Sequence, residues 1–492
     1  MSQKADNPVP CKGGRSTPKA AALLQSCAVL ALLFEAGCAP DLGALPKPQE
    51  PADFQAAQSA PTADWPQSDW WKAYRDEQLD ALVAEALKDS PDLEIAAARV
   101  RAAEAFGSIT GADLWPTVVA DGYVRETEPT QNQGFPQAFK SMMPRGWHHA
   151  ASISASVQYE IDFFGKNRAS FKAAMSDVSA AKAEQAAARL EISAAVVTTY
   201  AVLMQQFADR NTAADAVRIR SESATLVEQR WRSGLENEAA QSQAQAQLKA
   251  AMGGLKDADR QIALTRNQIA ALLGKGPDRG LGVADAPTHT VKSAGLPANL
   301  TLDLIGRRPD VVATRHNVEA AASRIDVAEA NFYPNVDLTG MFGLQGLDLK
   351  YLAQASSEVG AFGPAIHLPI FDYGRNTGIY RGARAEYDGA VALYNKTLTN
   401  ALHEIADAYA NRRALEGELA DARGSLKDSE NAYRVVQARY RSGLSRYLDV
   451  LTAENLLLQQ RRAVADLESV AFTFDIALVH ALGGGYVEES KN

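Results

Sequence analysis

The feature that most constrains this chain is that most of it is written twice. Arg230-Trp231-Arg232-Ser233-Gly234-Leu235 recurs as Arg439-Tyr440-Arg441-Ser442-Gly443-Leu444, and Phe164-Gly165-Lys166-Asn167-Arg168 recurs as Tyr373-Gly374-Arg375-Asn376, both 209 positions later. Upstream, Pro91-Asp92 returns as Pro309-Asp310 and Leu114-Trp115-Pro116 as Phe332-Tyr333-Pro334, now 218 positions later. The nine extra residues of the first copy therefore fall between Pro116 and Gly165, where a longer loop runs from Pro129 to Trp147. Two copies of about 200 residues bound the fold before any motif is weighed.

Each copy contains one stretch that no compact domain needs. From about Lys166 to Arg232, and again from about Arg375 to Arg441, there is no proline, and Ala, Leu, Glu, Gln and Arg dominate. Such runs predict helices of about 65 residues, roughly 100 Å at 1.5 Å per residue. Leu190, Ala194, Val197, Ala201, Met204 and Ala208 follow the spacing of a coiled-coil seam, with small residues that allow close approach. Each long helix meets the Arg-x-Arg-Ser-Gly-Leu turn, where Gly234 or Gly443 suits a left-handed helix end. A return helix then runs to Leu273-Gly274 or Leu482-Gly483. That return is only about 40 residues, and the segments Pro91–Leu114 and Pro309–Asn331 complete its length if they stack end to end on it.

Between these helices lie strand-like runs. Ala151 to Asp162 alternates strictly, with Ala151, Ile153, Ala155, Val157, Tyr159 and Ile161 on one face and polar residues on the other. Its partner is Thr117 to Arg125. In the second copy Asn335 to Gln345 alternates similarly, and a fourth run near Gly360 to Ile370 is interrupted by Pro364 and Pro369. Ten to twelve residues tilted by about 45° suit a transmembrane β-strand. Four strands cannot close in lipid, whereas three chains would supply twelve. The plainer reading is two hairpins packed on a soluble core, and helices of this length count against it.

The 492-residue chain carries 50 basic and 59 acidic residues, a formal charge of -9, with no basic tract of the kind that binds nucleic acid. Its cysteines, Cys11, Cys27 and Cys38, all lie in the first 38 residues, so the body holds neither a disulfide framework nor a thiolate metal site. Lys12, Arg15 and Lys19 precede an apolar run from Ala20 to Phe34, too short to span a bilayer and suited to a secretory signal. Phe34-Glu35-Ala36-Gly37-Cys38 resembles a lipobox, although Glu35 stands where an aliphatic residue is usual; plain cleavage, with Cys38 lost or unmodified, is the alternative. Cys27 is a weaker rival site. A tether rich in Pro, Ala, Asp and Gln follows to about Thr62. Trp65, Trp70, Trp71 and Tyr74 then open the folded part, best read as packing against neighbouring helices.

With these parts in order, the chain resembles the TolC-like outer membrane efflux protein family, and within it the NodT-type lipoproteins of RND efflux systems. The carriers are Arg307-Arg308-Pro309-Asp310-Val311, Ala330-Asn331-Phe332-Tyr333-Pro334, Pro369-Ile370-Phe371-Asp372-Tyr373-Gly374-Arg375, the paired turn motif, and Asp449-Val450-Leu451 ahead of Ala481-Leu482-Gly483-Gly484-Gly485. The resemblance implies a mainly α fold with a transmembrane β-barrel portion: two tandem repeats, long coiled-coil helices forming a periplasmic tunnel, and four strands per chain giving a twelve-stranded barrel in a homotrimer. It places a signal peptide at 1–37, a lipidated tether at 38–64, repeats at 65–290 and 291–486, and a tail at 487–492. It implies a channel in the outer membrane, in contact with its lipid, joined by a periplasmic adaptor to an inner-membrane RND-type transporter that supplies the energy. Cys38 would be lipidated. Arg230, Ser233, Gly234 and Leu235, with Arg439, Ser442, Gly443 and Leu444, would contact the adaptor. Asp449 matches an aspartate ring that narrows the periplasmic mouth; its counterpart in the first copy is Ala240, and Thr452 stands where some relatives have a second aspartate. A bare helix-end charge is the alternative for Asp449.

No catalytic chemistry or cofactor is expected. His148-His149 lies in the long first-copy loop, and no carboxylate or cysteine nearby completes a metal or nucleophile set. Seven methionines without a cluster do not suggest copper or silver export. No Gly-x-Ser-x-Gly elbow supports a hydrolase. A lipidated periplasmic coiled-coil scaffold or adaptor is the second reading, and the alternating strands weigh against it.

Overall fold

A computed structural model describes residues 40–50, 61–130, 132, 136, 142–285, 295–297 and 300–488. The fold is mainly helical, at 68%. In chain order its principal elements are α1 (Glu77–Asp89), α2 (Pro91–Ala112), β1 (Thr117–Thr127), β2 (His148–Glu160), α3 (Lys166–Arg232), α4 (Glu238–Leu272), α5 (Leu300–Arg307), α6 (Pro309–Ala330), β3 (Asn335–Gly346), β4 (Glu358–His367), α7 (Arg375–Arg441) and α8 (Tyr447–Ala481). The corresponding helices match in length: α3 and α7 have 67 residues each, α4 and α8 have 35, and α2 and α6 have 22. The chain divides into two compact units. Of the described residues, one unit holds 40–46 and those within 106–174 and 320–388, and the other holds those within 47–105, 175–319 and 389–488.

The first unit is built on a single antiparallel sheet in the order β1-β2-β3-β4. The register places Val118 opposite Val157, Val157 opposite Gly340, and Gly340 opposite Phe362. The next residue along each strand faces the other way. The fourth strand begins at Glu358, two residues before the expected start, and ends at His367. Pro364 lies inside it, opposite Leu338. An edge strand tolerates this proline because one of its sides has no ladder within the chain. At the strand-to-helix junctions an aspartate just ahead of each repeated motif has a clear role. Asp162 accepts from the backbone of Arg168 at 3.0 Å, and Asp372 from the backbone of Asn376 at 2.8 Å, capping α3 and α7. Asn376 reaches back to the Asn331 carbonyl at 2.9 Å, tying the start of α7 to the end of α6. The tether is not a free spacer over its described part. Arg384 on α7 donates to the carbonyls of Leu42 and Gly43 at 3.3 and 2.7 Å, and the Tyr387 hydroxyl donates to Pro46 O at 3.1 Å.

The second unit is helical. Trp70 and Trp71 are buried in a core with Leu79, Leu82 and Val83 of α1, Val196, Val197, Tyr200 and Leu203 of α3, Ile269 of α4, and Phe472 and Ile476 of α8. The aromatic cluster thus packs on helices, with Tyr74 edge-on to Phe472 at 4.6 Å and its hydroxyl on Asp475 at 2.7 Å. Ala194, Val197 and Ala201 of the expected seam are buried. The end-to-end stacking is visible twice. Gly274, past the end of α4, abuts Asp89 and Pro91 at the start of α2, and Lys275 pairs with Asp89 at 2.8 Å. Beyond α8, Gly483 lies against the Arg307 carbonyl, and Arg308 donates to the Ala481 carbonyl at 3.1 Å. Arg308 is buried and also binds Asp310 and Glu404, both at 2.6 Å. Two carboxylates and a helix-end carbonyl therefore offset the cost of burying its charge.

Candidate functional site: a two-faced sheet and paired helical turns

The sheet carries two opposite surfaces. On one lie Val118, Ala120, Gly122 and Val124 of β1, then Ala151, Ile153, Ala155 and Val157 of β2. Val336, Leu338, Phe342 and Leu344 of β3 continue the row, and Phe362, Pro364 and Ile366 of β4 complete it. This surface is apolar across all four strands. It is also uncovered: Phe342 is 66% exposed, and Val118, Ile153, Phe362 and Ile366 are exposed too. The opposite surface carries Asp121, Tyr123, Arg125, Ser152, Ser154, Ser156, Gln158, Thr339 and Gln345. Contiguous exposed apolar area of this size marks a surface that meets another apolar phase. Both β1 and β4 end the sheet with unpaired ladders within the chain.

The turns between α3 and α4 and between α7 and α8 repeat one geometry. Leu235 N–H donates to the Arg230 carbonyl and Leu444 N–H to the Arg439 carbonyl, each at 2.8 Å. Gly234 and Gly443 hold φ of +71° and +79°. This is a helix C-terminal motif with a left-handed glycine. A Cβ at either glycine would meet nothing within 4 Å, so the requirement is conformational and not one of space. Ser233 and Ser442 return their hydroxyls to the helix carbonyls of Gln229 and Ala438 at 2.9 and 3.2 Å. Leu235 and Leu444 project outward, 65% and 69% exposed.

The arginines of the two turns differ. Arg230 lies over the Tyr440 ring at 4.7 Å and donates to the Tyr440 carbonyl at 3.2 Å. Arg439 is exposed and, among the described residues, has no side-chain partner. Asp449 is exposed in the first turn of α8, where one carboxylate oxygen accepts the Arg446 backbone N–H at 3.0 Å. It therefore acts as a helix cap locally, with its other oxygen left over. Ala240 is buried at the matching place in α4, where Asn237 is the cap, accepting from Ala240 N at 2.9 Å. Cys38 lies outside the described residues.

The contacts that join the two hairpins were not visible in the motifs. The Tyr440 hydroxyl donates to Glu236 at 3.0 Å, which ties the second turn to the first. Between α3 and α8, Glu454 is 1% exposed, accepts from the Ser223 hydroxyl at 2.9 Å and faces Arg220 at 3.5 Å. Burial lifts its carboxyl above the ordinary range, against the hydrogen bond from Ser223 and the charge of Arg220. The available signal was difference, not repetition: Glu236 corresponds to Ser445 and Tyr440 to Trp231. The His pair, expected in the long first-copy loop, instead opens strand β2. Carboxylates distant in sequence do approach the His pair, Asp348 at 3.4 Å from His148 and Glu126 at 3.7 Å from His149. Strand pairing brings them there. Among the described residues no group of three His, Cys, Asp or Glu is placed to hold a metal.

A mainly helical chain with such a sheet has the architecture of TolC-like outer-membrane channels. The crystal structure of the outer membrane protein VceC from Vibrio cholerae superposes with a TM-score of 0.81 at 38% identity, covering 86% of this chain and 100% of that one. A profile of the family described as outer membrane efflux protein matches residues 82–275 and 300–484. The chain belongs to the outer membrane efflux protein family. Cation efflux system protein CusC of Escherichia coli (strain K12) is 28% identical over 470 residues, 94% of this chain and 99% of CusC. Fusaric acid resistance protein FusA of Burkholderia cepacia is 34% identical over 334 residues, 66% of this chain but only 62% of FusA. The matching family is one of efflux proteins, and no enzymatic family is indicated.

Proposed function

We propose that three copies of this chain form one passive channel, with a twelve-stranded barrel in the outer membrane continued by an α-helical duct in the periplasm. In this reading it is the exit of a tripartite system, in which an inner-membrane RND-type transporter supplies energy and a periplasmic adaptor joins the two. The observation that carries the reading is the sheet: one apolar surface unbroken over four strands, and two unpaired edges. Open edges are not tolerated in hydrocarbon, and twelve strands can close where four cannot. The apolar surface then faces lipid and the polar surface faces the lumen. Within the duct the two tandem repeats contribute four helical arms per chain.

Acylation of Cys38 would add a second hold on the membrane, with the strap at 40–46 running back along α7. The exposed Leu235 and Leu444, with Ser233 and Ser442, form the surface offered to the adaptor. Gly234 and Gly443 set its shape, and Arg230 supports it through Tyr440. Three copies of Asp449 would ring the mouth. The cargo is small molecules chosen upstream, since a polar duct selects little.

Size measurement in detergent tests the assembly. A trimer from outer-membrane fractions, with heat-modifiable mobility, is expected. A monomer alone would overturn the reading, and recovery of the protein from the soluble periplasm would favour a coiled-coil scaffold.

A further inference from the structure

The two turns are built alike and engaged differently. Inside one chain, Arg230 covers the Tyr440 ring, and the Tyr440 hydroxyl binds Glu236, which leaves Tyr440 only 1% exposed. The 209-residue correspondence pairs Arg230 with Arg439, Tyr440 with Trp231 and Glu236 with Ser445. Neither Arg439 nor Trp231 makes the equivalent contact. Trp231 is 42% exposed, and Arg439 is exposed without a side-chain partner among the described residues. The first turn thus presents an uncovered ring and the second an unspent cation, the same two groups that are satisfied once within the chain.

We propose that Arg439 of one protomer seats on Trp231 of the next, so that the six turns of the trimer are joined alternately within and between chains. This rests on the trimeric assembly proposed above. Each chain would thus offer Arg439 to one neighbour and Trp231 to the other, which is the pairing a closed head-to-tail ring of identical subunits needs. Tryptophan is the side chain that holds a guanidinium best.

The contact between chains is also the weaker of the two. Glu236, which fixes Tyr440, is replaced by Ser445 at the corresponding place. The buried link of Ser223 and Arg220 to Glu454 has Ala432, Ser429 and Gln245 as counterparts. Arg461, which pairs with Asp215 at 3.4 Å, corresponds to Met252, and Asp215 to Gly424. Neither of these two ion pairs can therefore be repeated between chains, so the ring of turns parts between protomers before it parts within one.

The body of the chain contains no cysteine, which makes the test direct. Full-length chains carrying Trp231→Cys and, separately, Arg439→Cys, one of them enlarged by a tag, are co-expressed. Outer-membrane fractions are treated with a short bis-maleimide, and the untreated oligomer is sized in detergent. A covalent band containing one tagged and one untagged chain is expected, and it should be lost when either cysteine is omitted. Trimers without that band overturn the Arg439–Trp231 contact and leave the assembly standing; monomers overturn both. Single-channel recordings give a second readout that does not depend on cross-linking. Trp231→Ala should lengthen openings several-fold, while Trp231→Phe, which keeps a ring, should stay near the parent. Equal behaviour of Ala and Phe overturns the role of the ring.

Discussion

At Gly443 the backbone holds φ of +79° with open space around the missing Cβ. A β-branched residue there costs about 1–2 kcal/mol in local conformation and nothing in packing. Gly234→Val or Gly443→Val should therefore leave the trimer folded and lower efflux-dependent drug resistance, read as growth inhibition. Undiminished resistance in both variants would count against the turns as an adaptor surface. Glu454 makes a different prediction. Its folded carboxyl titrates above the ordinary 4.5 because it is buried. The folded chain then holds a proton that the unfolded chain releases, so stability falls as pH rises from 4.5 through the raised value. Glu454→Gln should flatten the decline of melting temperature over that window, and parallel melting profiles for parent and variant would show that the residue does not titrate there. The glycine pair was legible in the sequence because a left-handed turn narrows the choice of residue. Glu454 was not, since a glutamate in a helical run reads as solvated until the facing helix is in place.

Among the elements, the strands were readable from alternation, and their pairing sharpened the reading by showing that all four apolar rows fall on one surface. The fourth was the exception, because prolines broke its pattern and only its place at the edge of the sheet explains why Pro364 is tolerated. The long helices were readable to the residue at their glycine turns. The strap at 40–46 was not, since backbone carbonyls that accept from Arg384 and Tyr387 leave no side-chain signature. The two surfaces of β2 give a paired test. Ile153→Arg places a charge on the lipid side and should cost about 2–4 kcal/mol if that residue sits near the midplane. Ser154→Arg places the same charge on the lumen side and should insert normally. Equal yields of folded trimer from the two variants would contradict the assignment of the surfaces.

For the whole molecule, the function proposed above turns on what three copies of one residue do together. Asp449 caps α8, yet one of its oxygens is uncommitted. Three such carboxylates around a closed mouth repel one another and attract cations. Asp449→Ala should weaken block by divalent or trivalent cations in single-channel recordings, and Ala240→Ser, at the matching place in the first repeat, should not. An unaltered block in Asp449→Ala would leave the residue as a cap alone and send the search for the gate further along α8. The equality of the arms has a consequence for descent. With 67 residues outward and 35 back in both repeats, a codon gained or lost in one arm would lift a single tip out of line with the others. Indels in these arms should be purged from a lineage unless they arise in step, leaving point substitution as the main route of change. The nine-residue difference between the copies falls instead between β1 and β2, where length can drift without moving a tip.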